Sequence, residues 1–559
     1  MQNKVNIFVC CSCSSDVRIG HSLNTQEETF VKTRLQTVQE CLKNLGIVCS
    51  PDKVPKIALL GSGGGERAML GLLGSLDGFK ETGLLDCVLY LSGVSGSTWC
   101  MASLYQDSDW STKLDSVREK IIQRLKGPAV SWSEIGSELM KYYLEKDLLS
   151  LTDIWAVLVV TLFVKEIDNG KLSQQRGHND KNPFPIYTVI DKQCRQRLHE
   201  RGVFFEISPY EAGYSLTGAF VDNSMFGSQF EKGSMIKDQP EMDMLYLQGL
   251  CGSCLADGEF IIKLILQEIK KFFHHITHEK EAVCGKTSQE GTASADAGFQ
   301  ILVSLVEMHL SVLKEKDLSV QETTIRTKLK ELTGDESWLV KMANTTGDNF
   351  INIKQFTLEV LKCLKSWFSS WWDGILDAII KCVMEWIWGR KYNFLYKMEG
   401  VHAAILKSET RDYEDAGIAL NSPYISMLRQ ERDVDLIISL DFSGGHHFET
   451  LTYASEICGD LDIPFPEVDV SSEDPKKPKD FYVFEGKGEE PTVIHIPLFN
   501  TVNCGADKLE EWREKYTTIQ LPYSAELIDP LVEVSGKNIT NNKEKLVKEI
   551  QKIFDRKHK

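Results

Sequence analysis

The block 57–97 constrains the fold of this chain most, because strands and helices alternate there. An apolar run at 57–60 is typical of a buried strand, and three consecutive glycines at 63–65 follow it in a tight loop. Leucines recur at helical spacing over 67–80, and a second apolar run lies at 87–91. A strand, a helix and a second strand in this order predict a parallel α/β sheet.

Outside this block the sequence predicts one large domain with additions at both ends. Residues 1–50 predict a polar arm followed by an amphipathic helix, and residues 536–559 predict a basic amphipathic helix. Between them, 51–535 predicts a single α/β domain, in which the segment at about 279–390 is a cap-like insertion poor in strand signals. Further strands are expected at 434–440 and 493–496.

The charge and the cysteine content of the chain argue against some classes of function. The formal net charge of -17 argues against a nucleic-acid partner, because phosphate contacts need a basic surface. The 15 cysteines are odd in number and scattered, which favours free thiols in a reducing compartment. Since the sequence shows neither a signal-peptide pattern nor an apolar run long enough for a membrane span, we expect a cytoplasmic protein.

A serine between small residues is the first candidate functional group. Residues 93–97 read Gly-Val-Ser-Gly-Ser, after a predicted strand and before a predicted helix. In α/β hydrolases such a turn carries the nucleophilic serine, because small neighbours tolerate a strained backbone and leave the hydroxyl exposed. The pattern departs from G-x-S-x-G at Ser97, and a glycine turn whose Ser95 caps a helix is an equally consistent interpretation.

The glycine loop and the arginine after it form the second candidate site. Backbone N–H groups of Gly64 and Gly65 can point into one concavity, which suits stabilisation of an oxyanion. Arg67 falls in the first turn of the next helix, where a cation is disfavoured unless it binds an anion such as a phosphodiester. Nucleotide binding is an alternative, but Glu66 stands where a dinucleotide fingerprint needs glycine, and no Walker loop is present. A plain turn with a solvated arginine is the other alternative.

Two candidates exist for a base that would activate the serine, since a hydroxyl is a weak nucleophile until its proton is removed. His446 and His447 follow the strand predicted at 434–440, although adjacent histidines are typical of surface loops. Asp415 lies in an Asp-Ala-Gly tripeptide, whose two small residues would let the carboxylate approach a serine directly. The residues by themselves leave both candidates open.

Taken together, these motifs resemble the cytosolic phospholipase A2 family. The resemblance is carried by GSGGGERAM, by GVSGSTW about thirty residues later and by DAG far downstream, and it extends from about residue 25 to residue 555. It is greatest to the gamma type of the family, which lacks the calcium-dependent membrane-docking β-sandwich of its relatives. Two departures from that type are Glu66, where a small or apolar residue is usual, and a C-terminal sequence without a prenylation box.

The resemblance implies a three-layer α/β domain with a central, mostly parallel sheet and a serine–aspartate dyad. By motif, Ser95 is the nucleophile, Asp415 the general base, Gly64 and Gly65 the oxyanion hole, and Arg67 the ligand of the lipid phosphate. The implied reaction is calcium-independent hydrolysis of acyl esters of glycerophospholipids and lysophospholipids, with acyl transfer to lysolipids, and without a metal ion or another cofactor. An inactive lipid-binding or scaffold protein of the same fold is the alternative.

Such an enzyme is expected to bind a membrane surface peripherally, and three features are candidates for this contact. The basic C-terminal helix could bind anionic headgroups. The tryptophans between Trp367 and Trp388 could lie at the interface, and Cys10, Cys11 and Cys13 could be palmitoylated. Each feature also has a plainer explanation, namely packing against the domain itself or an unmodified thiol.

Overall fold

The computed structural model describes most of the chain outside the predicted insertion. It describes residues 16–177, 181–197, 202–253, 319–333, 387–401, 403–518 and 520–558, with short runs and single positions between 264 and 382. Most of the insertion predicted at about 279–390 therefore lies outside the described residues. The same holds for Trp367 and for the three N-terminal cysteines.

A mixed sheet of twelve strands forms the centre of the described part of the chain, and a separate hairpin lies beside it. The strands are β1 (Val17–Ile19), β2 (Ile57–Gly61), β3 (Tyr90–Gly93), β4 (Phe184–Asp191), β5 (Phe204–Ile207), β6 (Glu211–Tyr214), β7 (Ala219–Asp222), β8 (Gln229–Glu231), β9 (Ser234–Lys237), β10 (Arg390–Tyr392), β11 (Thr410–Asp415), β12 (Leu436–Asp441), β13 (Tyr482–Phe484) and β14 (Thr492–Pro497). Their order across the sheet is β1-β7-β6-β5-β4-β3-β2-β12-β14-β13, and β11 joins β4 and β10.

The five central strands, β4, β3, β2, β12 and β14, are parallel, which confirms the α/β class predicted from the block 57–97. β2, β3 and β12 are buried along their whole length, as expected of parallel strands covered by helices on both faces. The strands on both flanks are antiparallel, and their short lengths explain why the sequence pattern did not reveal them. Gly61 and Gly93 are neighbours in register, so the loops after β2 and β3 leave the sheet at the same edge.

The α-helices of the described residues lie between and after the strands. They are α1 (Thr25–Asn44), α2 (Glu66–Glu81), α3 (Gly96–Leu104), α4 (Leu114–Lys126), α5 (Trp132–Glu145), α6 (Leu151–Trp155), α7 (Thr161–Val164), α8 (Met244–Cys251), α9 (Ser319–Thr333), α10 (Ala403–Leu406), α11 (Tyr424–Met427), α12 (Glu449–Asp460), α13 (Leu509–Lys515), α14 (Ala525–Thr540) and α15 (Lys543–Lys557). None of them combines the length and the apolar character that crossing a bilayer requires.

Glycines on α2 allow α14 to pack closely against it. A Cβ atom at Gly74 would lie 2.2 Å from the carbonyl oxygen of Val532, and one at Gly78 would lie 2.5 Å from that of Gly536. Side chains larger than a hydrogen atom would therefore force the two helices apart. This contact fixes the direction of α2, and with it the position of the glycine loop at its N-terminus.

The structure corrects both predicted terminal segments. Within 1–50, the expected amphipathic helix is α1, but β1 precedes it and pairs antiparallel with β7. The helix predicted at 536–559 begins only at Lys543, because Gly536 lies inside α14, against α2. In α15, Leu546 and Ile550 are buried in the core, so its apolar face packs on the domain itself.

At the described end of the tryptophan-rich segment, Trp388 packs against the domain itself. Its ring is buried and lies edge-on against Trp155, with ring centroids 6.4 Å apart. A tryptophan packed in this way contributes to the core and is not available to a membrane interface. The remaining tryptophans predicted as interfacial candidates lie outside the described residues.

Candidate active site

Ser95 lies at the junction between β3 and α3 in a strained backbone conformation. Its φ of 52° and ψ of -126° are rare for a residue with a Cβ atom. Gly65, at the junction between β2 and α2, has nearly the same conformation, with φ 58° and ψ -138°. A glycine adopts these angles without strain, whereas a serine does so at a cost of about 1–3 kcal/mol. Strain of this kind that the fold maintains is typical of a functional position.

The glycine loop and the serine turn touch each other. A Cβ atom at Gly96 would lie 1.8 Å from the carbonyl oxygen of Gly65, and one at Gly63 would lie 2.9 Å from Cβ of Ser95. No larger residue fits at either glycine without moving the backbone. The sequence predicted both loops, and the structure adds that they form a single site.

One N–H group of the glycine loop has a backbone acceptor, and the next two have none among the described residues. The N–H of Gly63 donates to the carbonyl of Asn421 at 3.2 Å. Within the described parts of the chain, no acceptor binds the N–H of Gly64 or of Gly65. Both glycines are only half-buried. These two donors are therefore candidates for binding an oxyanion, as their positions in the sequence predicted.

Strand register brings Asp415 to the edge of the sheet from which Ser95 emerges. Asp415 ends β11 and pairs with Val189 of β4, while Gly93, two residues before Ser95, pairs with Tyr187 of the same strand. Because β5 occupies the other edge of β4 at Val189, β3 and β11 lie end to end along one edge. At about 3.3 Å per residue, the ends of β3 and β11 are roughly 7 Å apart along β4.

Two side chains, those of Cys251 and Thr98, lie near the two candidate dyad residues. The carboxylate of Asp415 is fully buried and accepts the N–H of Gly417 at 2.7 Å. Burial raises the pKa of the Cys251 thiol well above its usual value, and the nearby Asp415 carboxylate adds to this rise. Thr98, a hydrogen-bond partner of Cys251, donates its hydroxyl to the carbonyl of Ser95 at 2.5 Å. Cys251 therefore lies near Asp415, and Thr98 contacts Ser95.

Arg67 is buried and bound entirely to neutral acceptors. Its Nε donates to the carbonyl of Phe442 at 2.7 Å, Nη1 to the carbonyl of Tyr516 at 2.6 Å, and Nη2 to the hydroxyl of Thr518 at 2.7 Å. A guanidinium has five N–H donors, so these bonds leave two uncommitted. Burial lowers the pKa of Arg67, with nearby Tyr523 and Asp441 opposing that effect.

A cavity of about 840 Å³ opens onto these groups. Ser95, Gly64 and Arg67 line it, together with residues of the segment 417–421, the loop 443–446 and one face of α12. Gly65 and Asp415 do not line the cavity, although their neighbours do. Three of the five predicted site residues therefore line one cavity.

The two histidines that are alternative candidates for the base lie in different environments. His446 is exposed and lines the cavity, and its Nδ1 accepts the N–H of Phe448 at 3.3 Å. His447 is buried, and burial together with the neighbouring His495 lowers its pKa to about 4. The Nε2 of His495 donates to the carbonyl of His447 at 2.6 Å. Only His446 therefore has the access that a base in this cavity needs.

Several residues of the site were not foreseen from the sequence. Asn421 holds the glycine loop, since its side-chain amide donates to the hydroxyl of Ser443 at 2.9 Å while its carbonyl binds Gly63. Tyr516, Thr518 and Tyr523 contact the first turn of α2, and the N–H of Tyr523 donates to the Glu66 carboxylate at 2.7 Å. No local signal marks these residues, because they lie more than 350 positions from the loop that they contact. Among the described residues, no cluster of His, Cys, Asp and Glu could hold a metal ion.

Comparisons with known proteins point to one family. A family model described as "Lysophospholipase catalytic domain" matches residues 57–279. The chain is 33% identical to cytosolic phospholipase A2 gamma of Mus musculus, over 97% of this chain and 93% of the relative. It is 32% identical to the protein of that name from Homo sapiens, over 97% of each chain.

A solved structure of human GIVD cytosolic phospholipase A2 supports the fold independently. It superposes with a TM-score of 0.68 at 22% identity, covering 98% of this chain and 67% of that chain. With relatives above 30% identity along nearly their whole length, this chain belongs to the cytosolic phospholipase A2 family.

Proposed function

We propose that this chain hydrolyses the fatty acyl esters of glycerophospholipids and lysophospholipids through an acyl-enzyme on Ser95. The observation that carries the proposal is the strained serine turn, which faces a cavity shared with Gly64 and Arg67. The family membership supports the substrate class, since its named members are phospholipases A2 and the matched family model describes a lysophospholipase domain.

The first half of the reaction forms the acyl-enzyme. Asp415 accepts the proton of the Ser95 hydroxyl as Oγ attacks the ester carbonyl carbon. The N–H groups of Gly64 and Gly65 stabilise the negative charge that develops on the carbonyl oxygen. The intermediate then collapses, the bond to the leaving alkoxide breaks, and Asp415 returns the proton to the departing lysophospholipid or glycerophosphodiester.

The second half of the reaction releases the fatty acid. A water molecule gives its proton to Asp415 and attacks the acyl-enzyme, and Ser95 leaves as the restored hydroxyl. A lysolipid hydroxyl can take the place of water, in which case the product is a new phospholipid. No step uses a metal ion, so we propose that the activity is independent of calcium.

Arg67 is proposed to bind the phosphate of the substrate. Its two uncommitted N–H donors and its place in the cavity wall support this role, because a guanidinium binds phosphate oxygens by charge-assisted hydrogen bonds. A cation in the first turn of a helix is disfavoured by the helix dipole, and the negative charge of the phosphate would offset this effect at α2. The enzyme would act from the cytoplasm on the surface of membranes, with which it associates peripherally.

Active-site labelling tests the nucleophile. A fluorophosphonate probe should label the wild-type protein covalently, and Ser95→Ala should abolish both labelling and the release of fatty acid from phosphatidylcholine vesicles. An unlabelled wild-type protein that releases no fatty acid would favour the alternative of an inactive lipid-binding or scaffold protein. A thermal unfolding curve for Ser95→Ala controls for misfolding, and relief of backbone strain is not expected, since alanine keeps the Cβ atom.

A matched pair of variants tests the base. Asp415→Asn should lower kcat by a factor on the order of a thousand or more, as expected when a general base acting on a nucleophile is removed. His446→Ala, at the cavity wall, should lower kcat by less than about threefold. The reverse pattern, with near-normal rates for Asp415→Asn and a large loss for His446→Ala, would show that the histidine is the base.

A further inference from the structure

Ser97, the residue at which the serine turn departs from G-x-S-x-G, has no part in the proposed reaction. Its side chain is fully buried, and its Oγ donates to the carbonyl of Ser62 at 2.6 Å. Ser62 comes directly before the three glycines of the loop. A single hydroxyl therefore joins the turn that carries Ser95 to the loop that carries the proposed oxyanion hole.

The ends of β2 and β3 leave a slot for the Ser97 side chain. Gly61 ends β2 and Gly93 ends β3, and the two are neighbours in register. A Cβ atom at Gly61 would lie 2.6 Å from Oγ of Ser97, and one at Gly93 would lie 3.3 Å from its Cβ. The two glycines therefore provide the space that the serine side chain fills.

The peptide unit between Ser62 and Gly63 is held at both ends. Its carbonyl accepts from Ser97, and its N–H donates to the carbonyl of Asn421 at 3.2 Å. Ser62 is almost completely buried, and within the described part of the chain no backbone N–H donates to its carbonyl. Because C=O and N–H point in opposite directions in a trans peptide, the two bonds together fix the orientation of this peptide unit.

The next two peptide units of the loop contain the N–H groups of Gly64 and Gly65. Glycine has more conformational freedom than any other residue, so this part of the loop resists displacement only weakly by itself. Its position relative to Ser95 depends on the peptide unit that precedes it. The hydrogen bond from Ser97 acts on that peptide unit.

We infer that Ser97 is a positioning residue for the proposed reaction. Its hydroxyl keeps the N–H groups of Gly64 and Gly65 where an oxyanion on the substrate can accept them. Without the hydroxyl, the buried carbonyl of Ser62 loses its donor, and the loop should shift until this carbonyl finds another one. A displacement of about 1 Å in such groups lowers a rate by about a hundredfold. The inference rests on the proposed function, since it needs the two glycines to bind the oxyanion.

The test separates stabilisation of the transition state from binding of the substrate. For Ser97→Ala in the full chain, kcat and KM are measured with phosphatidylcholine in mixed micelles, at a temperature at which circular dichroism shows the variant to be folded. Because the oxyanion forms only after the substrate has bound, kcat should fall by about tenfold to a hundredfold while KM stays within about threefold of the wild type. Labelling by a fluorophosphonate, whose phosphoryl oxygen would occupy the same donors, should slow by a similar factor.

Ser535→Ala is the matched control. Ser535 is equally buried, and its hydroxyl also donates to a carbonyl, that of Leu531 at 2.7 Å. That bond lies within α14, so its loss should lower the thermal unfolding midpoint much as Ser97→Ala does and leave kcat within about threefold of the wild type. Equal losses of kcat in the two variants would trace the effect to general destabilisation and overturn the inference.

Ser97→Cys keeps the slot filled but offers only a weak S–H donor, so it tests the hydrogen bond apart from packing. Its kcat should lie between those of the wild type and Ser97→Ala, with KM unchanged. A folded alanine or cysteine variant with the wild-type kcat would overturn the positioning role and leave the proposed function intact. A wild-type protein that releases no fatty acid and is not labelled by a fluorophosphonate would instead overturn the proposed function, and the role of Ser97 with it.

Discussion

Two buried arginines of this chain are held in contrasting ways. Arg432, just before β12, donates from Nε to Glu27 at 2.9 Å and from its two terminal nitrogens to Glu206 at 2.9 and 2.8 Å. Arg67, in the first turn of α2, donates only to two carbonyls and one hydroxyl. Both side chains are almost completely removed from solvent. The difference between them is therefore one of partners and not of burial.

The pKa values of the two regions differ accordingly. Burial alone would lower the pKa of Arg432, but Glu206 and Glu27 raise it well above its usual value. Burial would likewise raise the pKa of Glu206, but Arg429 and Arg432 bring it to about 2. For Arg67, burial lowers the pKa, and no carboxylate reverses this effect. The fold neutralises the charge of Arg432 itself, whereas the proposed phosphate ligand would neutralise that of Arg67.

The largest expected effect is on stability, at Arg432. Arg432→Met leaves Glu27 and one side of Glu206 without a counterion in the core, and removing one partner of a buried ion pair typically costs about 3–5 kcal/mol. We expect a correspondingly large fall in the urea midpoint, measured by tryptophan fluorescence. Residual kcat/KM of the folded fraction should stay within about threefold of the wild type.

A double variant tests the cause of that loss. Glu206 keeps its ion pair with Arg429, so Arg432→Met/Glu27→Gln removes the carboxylate that the single variant leaves without a counterion, and it should recover part of the lost stability. If the double variant is less stable than the single one, the ion pair is not the reason for the loss. Packing, and not ion pairing, would then explain why Arg432 contributes more to stability than Arg67.

The second prediction concerns Arg67, where activity should change more than stability. Arg67→Met removes charge-assisted hydrogen bonds to the substrate phosphate, which are worth about 1.5–3 kcal/mol, so kcat/KM for phosphatidylcholine should fall by about tenfold to a hundredfold. Hydrolysis of a phenyl ester, which has no phosphate, should fall by less than about threefold. Equal losses on both substrates would remove the phosphate role and make Arg67 a structural residue like Arg432.

The sequence indicated the unusual position of Arg67 but gave no sign of the partners of Arg432. The motif around Arg67 is local, and the conflict between a cation and a helix N-terminus already indicated an anionic ligand. Nothing in the sequence pairs Arg432 with Glu206 or Glu27, which lie 226 and 405 positions away. Buried ion pairs between distant segments have no periodicity, and therefore they emerge only from the fold.

The fold was predictable to a similar extent. β2, α2 and the two tight turns follow from short patterns of apolar residues and glycines, and all of them formed close to the predicted positions. The three-residue strand β1 was missed, because it is too short to show a period of two.

The third prediction uses the residue beside Arg67. Glu66 is buried, and burial raises its pKa to about 7, although the N–H of Tyr523 opposes the rise. The unfolded chain releases this proton near pH 4.5, so the folded protein binds more protons between the two values, and its stability falls as pH rises through that window. Between pH 5.5 and 7.5 the loss amounts to about 2 kcal/mol.

Glu66→Gln keeps an acceptor for the N–H of Tyr523 and cannot ionise, so it should remove this part of the pH dependence. Urea midpoints of both proteins at pH 5.5 and 7.5 provide the measurement. The variant should gain stability relative to the wild type at the higher pH. An equal slope in the two proteins would mean that Glu66 is ionised in the folded state, and would make it a counterion for the site that contains Arg67.

The smallest effect is expected at an exposed ion pair, which calibrates the other three. On α14, Lys537 pairs with Glu533 one helical turn away, and both side chains are mostly exposed. Solvent screens such a pair, so Lys537→Ala should change the free energy of unfolding by less than about 0.5 kcal/mol, in a urea titration run beside that of Arg432→Met. A change comparable to that at Arg432 would mean that burial does not decide the strength of ion pairs in this protein, and the contrast between the two buried arginines would lose its physical basis.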